Sequence, residues 1–250
     1  MNVLRGKNTA VKVVFNNQER LEDLAGRLAQ QIDVDSLTLI KVFREPEFLD
    51  ANGFNQYTAL AMYLPNSYEV FWNTTAEKFR ARMLKEYKRF WNSKRMNQAK
   101  AIGLSPEEVM SLAAIVQKET VKIDERTKVA GVYLNRLRKQ MRLEADPTVI
   151  YALKEKNQNF DTIIRRVLRK DLKIESPYNT YKNKGVPPGP ITMPDINAID
   201  AVLKADTHNF LYFVANPEQP GYHTFAKTYR QHLRNGKAYY RWINSQKLYR

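Results

Sequence analysis

SPEEVMSLAAIVQKET, residues 105–120, is the stretch on which the fold reading turns. Ser105 stands at an N-cap position, Pro106 at the first helical position and Glu108 three residues after the cap. That is the spacing of a capping box, with proline where its missing N–H costs least. At about 100° per residue, Val109, Leu112, Ala113 and Val116 share one stripe and predict the buried face of a helix. Glu119 follows three residues after Val116 and seven after Leu112, at the edge of that stripe. Glu107 and Glu108 sit in the first turn, where acids suit the helix dipole; Glu119 sits at the opposite end, where they do not. Burial and the negative helix end both disfavour its ionised form, so its pKa is expected to be raised. A carboxyl kept protonated near neutral pH is what a general acid needs to protonate a leaving oxygen. The plainer readings are an ion pair with Lys118 or Arg126, or a side chain leaning into water.

Outward from this helix the pattern alternates between helical and extended. Downstream, residues 125–140 predict a second helix with Val129, Val132, Tyr133 and Leu137 on one stripe, and residues 142–153 a turn and helix start with Asp146 before Pro147. Residues 176–195, SPYNTYKNKGVPPGPITMPD, read as a long ordered loop. A helix over 195–204 and a β-prone core strand over 210–215 follow. Upstream, residues 11–15 alternate as a strand. Leu21, Leu24, Leu28 and Ile32 give a helix over 19–31, and Asp35-Ser36 cap a short one through 37–42. A mostly apolar stretch at 57–64 ends at Pro65, 68–72 is a candidate strand, and Asn73-Thr74-Thr75 cap a helix from Ala76. The fold class is α+β, one large domain or a domain with a smaller module at its start.

Composition narrows the chemistry. The 250 residues are 43% hydrophobic, enough for a core, and contain no cysteine, which removes disulfides and thiolate metal sites. The three histidines, His208, His223 and His232, form no ligand pair, so no protein-bound catalytic metal is expected. No run of 18 apolar residues offers a membrane span, and the first fifteen residues lack an apolar signal core. The net charge of +15 is concentrated in two stretches. Residues 80–100 carry eight Lys/Arg against Glu86 alone, and from Gln219 onward there are seven and no acid. The first reads as one amphipathic helix with Phe79, Met83, Tyr87 and Phe90 on its apolar side. Interleaved with tyrosine and tryptophan, such stretches suit single-stranded nucleic acid, an anionic wall polymer or membrane surface, or simply a solvated helix face. Glu144 is a candidate second carboxylate and His223 a candidate donor. No GxSxG, phosphate-binding or dinucleotide-binding motif occurs.

LAAIVQKET (112–120), VAGVYLNRL (129–137), MRLEADPTVIYAL (141–153), SPYNTYKNKGVPPGPI (176–191), NFLYFVA (209–215) and GYHTFAKTYRQH (221–232) resemble, in that order, the endolytic murein transglycosylases, the MltG or YceG-like family. LPNSYEVFWNTTAEKFRARML (64–84) is similar to the family's segment before the catalytic helix. The resemblance implies a lytic transglycosylase that cuts within peptidoglycan strands, on a lysozyme-like catalytic helix and without metal or cofactor. The family's catalytic glutamate precedes threonine in its IVxKET motif, which is Glu119 here. Family members often carry Glu where this chain has Gln117, so position 117 is not the essential acid.

By the same resemblance, Tyr178, Asn179, Thr180, Tyr181, Pro188 and Gly189 line the glycan cleft. Arg142, Asp146, Thr148, His223 and Phe225 support it. Residues 1–50 are similar to the family's LysM-like module, 51–100 connect it by a strand and the basic helix, and 101–250 form the catalytic domain. Such proteins are anchored in the inner membrane by an N-terminal helix and face the periplasm; this sequence shows no such helix. The partners implied are glycan strands and the peptidoglycan synthases, with anionic membrane or wall polymer touching the basic stretches and no specific nucleic acid. The alternative is a non-catalytic protein that binds wall or another anionic polymer.

Overall fold

The computed structural model describes residues 9–245. They form two compact units, one of residues 9–114 with 188–196, the other of residues 115–187 with 197–245.

The first unit is built on β1 (Ala10–Phe15) and two helices, α1 (Leu21–Ala29) and α2 (Ser36–Phe43), as the spacing predicts. Asp35 caps α2 by accepting the Thr38 N–H at 2.9 Å. After the short α3 (Pro46–Ala51) and a buried 3-10 turn at Ala59–Met62, the chain returns as β2 (Asn66–Phe71). β2 runs antiparallel to β1 with Val13 opposite Tyr68 and Phe15 opposite Asn66. The sheet of the first module therefore draws on both sides of residue 50. Its inner face stacks Phe15 on Tyr68 at 5.5 Å, and Leu24, Leu28, Leu39, Phe43, Tyr63 and Phe79 complete the core.

The first basic stretch is not one helix. α4 (Ala76–Phe90) stops, and α5 (Ser93–Ile102) begins after Asn92, whose side chain accepts the Arg95 N–H at 3.1 Å. An Asn at an N-cap satisfies a donor that a continuous helix would have bonded itself, so the break is locally favoured. Nor is the stretch all solvated: Arg80 is buried, paired with Glu45 at 2.7 Å and lying 3.6 Å over the Phe48 ring.

α6 (Pro106–Glu119) begins in the first unit and ends in the second. Its capping box is formed: Glu108 accepts the Ser105 N–H at 2.8 Å, and Ser105 accepts the Glu108 N–H at 3.2 Å. The expected stripe is buried, but so are Met110, Ser111, Ala114 and Ile115, so every residue from 109 to 116 is enclosed.

In the second unit a 3-10 turn at Ile123–Glu125 leads into α7 (Arg126–Arg138), then α8 (Asp146–Lys156) and α9 (Ile196–Leu203). Gly131 in α7 is a true close approach: a Cβ there would lie 2.6 Å from the Asp206 carbonyl. The passing segment is pinned to α7 by the Asp206 N–H on the Thr127 carbonyl, at 3.1 Å, and by His208 Nε2 donating to the Lys128 carbonyl at 2.9 Å. The strand expected over 210–215 is β3 (Tyr212–Ala215), half-buried rather than a core strand. Among the described residues its one partner strand is β4 (His223–Ala226), with Phe213 opposite Phe225. A two-stranded ribbon cannot enclose its own residues, and the hairpin packs on α10 (Tyr229–Ser245), the second basic stretch. Among the described residues no helix is long and apolar enough to cross a membrane.

Candidate active site

The second unit contains a cavity of about 270 Å³ lined by Glu119, Tyr133, Arg136, Leu143, Glu144, Asp146, Tyr181, Leu211, Tyr212, Phe213 and His232. Glu119 reaches it from the last residue of α6. Tyr133 and Arg136, three apart on α7, share one face of that helix and form the adjoining wall. Glu144 and Asp146 come from the start of α8 and the turn before it, Tyr181 from the loop, Tyr212 and Phe213 from β3, His232 from α10.

Glu119 is half-buried and accepts a hydrogen bond from the Tyr133 hydroxyl at 2.8 Å. Among the described residues that is its partner; neither Lys118 nor Arg126 pairs with it. Burial raises its pKa from 4.5 to about 7, opposed by the Tyr133 hydrogen bond, reinforced by the negative charge of Asp146 and opposed again by Arg136. Desolvation wins because hydrogen bonding and the guanidinium compensate a buried carboxylate only in part. The same burial, with the charge of Glu119, pushes the Tyr133 phenol well above its ordinary range, so it stays a donor.

Arg136 is a buried cation held by carbonyls. Its Nε donates to the Leu211 carbonyl at 2.8 Å, and Nη1 to the carbonyls of Leu143 at 2.7 Å and Arg142 at 3.1 Å and to Glu144 at 3.2 Å. It thus clamps the turn carrying Glu144, a residue whose φ of 52° is unusual for a side-chain-bearing position. Tyr181 donates to Asp146 at 2.6 Å; burial and that acceptor raise its own pKa.

The loop residues divide in two. Tyr181 lines the cavity, whereas Tyr178, Asn179 and Thr180 are buried, as is Thr148, and none of these four lines it. Asn179 donates to the Leu172 carbonyl at 3.0 Å and the Ile174 carbonyl at 2.8 Å, and accepts the Tyr181 N–H at 2.9 Å. Thr148 donates to the Ala145 carbonyl at 2.7 Å, which leaves the Thr180 hydroxyl to donate to Thr148 at 2.8 Å. Tyr178 packs on Tyr151 at 4.5 Å. These four side chains hold the loop so that Tyr181 meets Asp146, and none of them lines this cavity.

Pro188 and Gly189 belong to the first unit and do not line the cavity. Gly189 is required by packing, since a Cβ there would lie 1.9 Å from the Tyr57 carbonyl. Arg142 is exposed and contributes its carbonyl to Arg136. His223 is tied to Glu125, which accepts from its backbone N–H at 2.7 Å and pairs with its Nδ1 at 2.8 Å. Phe225 packs with Phe210 and Phe213 at 5.7 and 6.0 Å. None of these three lines the cavity; their place is in the surrounding packing.

Asp146 does line it, and so does Glu144, the second carboxylate weighed from sequence. Sequence reading missed Tyr133, Arg136, Tyr212 and His232. For the first two a signal existed: an arginine three residues after a tyrosine on the apolar stripe of α7 is a buried charge that needs a reason. Among the described residues no cluster of His, Cys, Asp and Glu could hold a metal ion.

The YceG-like family profile matches residues 1–238. The chain is 37% identical over 150 residues to the endolytic murein transglycosylase of Bacillus subtilis, an alignment covering 60% of this chain and 38% of that protein. It is 31% identical over 180 residues to the enzyme of the same name from Streptococcus pneumoniae, covering 72% of this chain and 32% of the relative. The chain thus spans about a third of the length of these curated relatives. The crystal structure of a YceG-like protein from Listeria monocytogenes superposes with a TM-score of 0.74 at 28% identity, over 90% of this chain and 75% of that one.

Proposed function

This chain belongs to the YceG-like family, and from that premise we propose that it is an endolytic peptidoglycan lytic transglycosylase, cutting the MurNAc–GlcNAc bond within glycan strands. The reading rests on one observation above the others. Glu119 is a half-buried carboxyl with a pKa raised to about 7, in a cavity walled by tyrosines and further carboxylates.

Protonated Glu119 gives its proton to the glycosidic oxygen as the bond to the MurNAc anomeric carbon breaks. The carbonyl oxygen of the substrate's own 2-acetamido group bonds to that carbon and disperses the positive charge. Glu119, now a carboxylate, takes the proton of the C6 hydroxyl; that oxygen displaces the acetamide and closes the 1,6-anhydro ring. One carboxyl serves as acid and then base, so proton and charge balance without water, a substrate-assisted variant of glycoside chemistry. Tyr133 holds the carboxyl in place through its hydrogen bond and steadies it once ionised.

The β1–α1–α2–β2 order, with its antiparallel strands, supports reading the start of the chain as LysM-like and glycan-binding. By resemblance we place the protein at the periplasmic face of the inner membrane, beside the peptidoglycan synthases. The basic α10, which buries none of its residues, supports contact with an anionic membrane or wall polymer. Taken alone, α10 also suits a non-catalytic polymer binder, which leaves the raised pKa of Glu119 without a purpose.

Digestion of purified peptidoglycan, followed by mass spectrometry, separates these readings. The transglycosylase yields 1,6-anhydroMurNAc ends, and Glu119→Gln yields none. Ordinary reducing ends would make the chain a hydrolase, and intact strands a binding protein.

A further inference from the structure

Among the titratable groups of the cavity to which the chemistry above gives no role is His232. It lines that cavity from α10, its ring stacked on Tyr212 with centroids 5.3 Å apart and planes 22° apart. Burial, together with the nearby Arg136 guanidinium, lowers its pKa, so the ring is neutral and carries one N–H. Nδ1 is buried and has no hydrogen-bond partner among the described residues. An orphaned N–H is rarer and costlier in a protein interior than an orphaned lone pair, which places the proton on Nε2. Nε2 is not enclosed in this way, and no described residue accepts from it.

The remaining polar groups of the cavity sharpen the point. The hydroxyls of Tyr133 and Tyr181 are given to Glu119 and Asp146. Nε and Nη1 of Arg136 are given to carbonyls and to Glu144. Glu119, Glu144 and Asp146 bring carboxyl oxygens, so acceptors are plentiful; beside His232, the donors without a partner among the described residues are Nη2 of Arg136 and the Tyr212 hydroxyl. Hydroxyl groups of a sugar can meet acceptors by donating; a carbonyl oxygen cannot.

We propose that His232, through its Nε2–H and against the Tyr212 ring, binds an acyl oxygen of the glycan strand, that of the 2-acetamido group or of the 3-O-lactyl group. This rests on the reading of the cavity as the glycan site.

Calorimetric titration with purified glycan strands tests it in a Glu119→Gln background, which leaves the strands uncut. His232→Phe keeps the ring stack and removes the donor; affinity is expected to fall about tenfold. His232→Gln places an amide N–H near the position of Nε2 and is expected to stay within about twofold of the parent. A merely structural role would not be rescued by glutamine, and melting curves of both variants show whether the fold is kept. Chito-oligosaccharides, which lack the lactyl group, and de-N-acetylated strands separate the two sources. The ligand on which parent and His232→Phe bind alike identifies the acyl group read. Equal binding of native strands by parent and His232→Phe overturns the proposal, as does a tenfold gap that persists on both altered ligands. Anhydro products from the unmodified chain would still leave the transglycosylase reading standing.

Discussion

The Tyr133 hydroxyl donates to Glu119 across 2.8 Å, joining the middle of α7 to the last residue of α6. This bond works against burial. It favours the ionised carboxyl, while desolvation and Asp146 favour the protonated one, and the outcome is a pKa of about 7. The Tyr133 bond and the Asp146 charge can each be removed by a substitution that changes few atoms, and each removal moves the carboxyl in a known direction.

Tyr133→Phe deletes the bond that lowers the Glu119 pKa. The alkaline limb of the pH–rate profile, where the acid form is lost, is expected to move up by about one pH unit. The turnover rate falls at the same time, because the ionised carboxylate loses its donor. Rates of peptidoglycan cleavage between pH 5 and 9 are the check; an unmoved limb would separate Tyr133 from the acid.

Asp146→Asn acts in the opposite sense. It removes a negative charge that raises the Glu119 pKa, yet leaves an oxygen able to accept from Tyr181. The same limb is expected to shift toward acid. A shift in the same direction as Tyr133→Phe would contradict the electrostatic assignment.

Stability carries a further signature. Glu119 has a folded pKa of about 7 against 4.5 unperturbed, so between these values the native state binds more protons than the unfolded chain. Stability therefore falls as pH rises from 4.5 through 7, and is level above. Because the group is partly exposed, the expected loss is about 1–3 kcal/mol rather than the full shift converted. Glu119→Gln removes this dependence. Denaturant unfolding at pH 5 and pH 8 should show the variant gaining on the parent at the higher pH.

Gly189→Ala distinguishes packing from glycan contact. The added methyl would collide with the Tyr57 carbonyl, and backbone yields less readily than a side chain. A loss of about 2–4 kcal/mol in folding stability is expected. Strand affinity measured well below the melting temperature should be unchanged.

Much of this arrangement is legible in the sequence, and the boundary has physical causes. The capping box and period of α6 are local signals, so the helix and the odd position of Glu119 follow from residues within one short segment. The bond from Tyr133, fourteen residues away, depends on how two helices pack and leaves no local trace. Asn179 and Thr180 sit in a polar, proline-rich loop whose composition suggests a ligand. Their amide and hydroxyl groups are instead consumed by the loop's own carbonyls and by Thr148. In the sequence α10 reads as a solvated helix face at most, since it buries none of its residues and no local pattern marks which side chain turns toward a cavity. Its support comes from the hairpin on which it packs. His232 was thus invisible as a cavity residue.

Catalysis by this route requires one carboxyl to be protonated near neutral pH. A carbon-detected NMR titration of selectively labelled glutamate, with Glu119→Gln used to assign the resonance, measures it directly. The expected midpoint for Glu119 is about 7. A midpoint near the ordinary 4.5 would mean that the carboxyl is ionised at neutral pH and cannot serve as the acid.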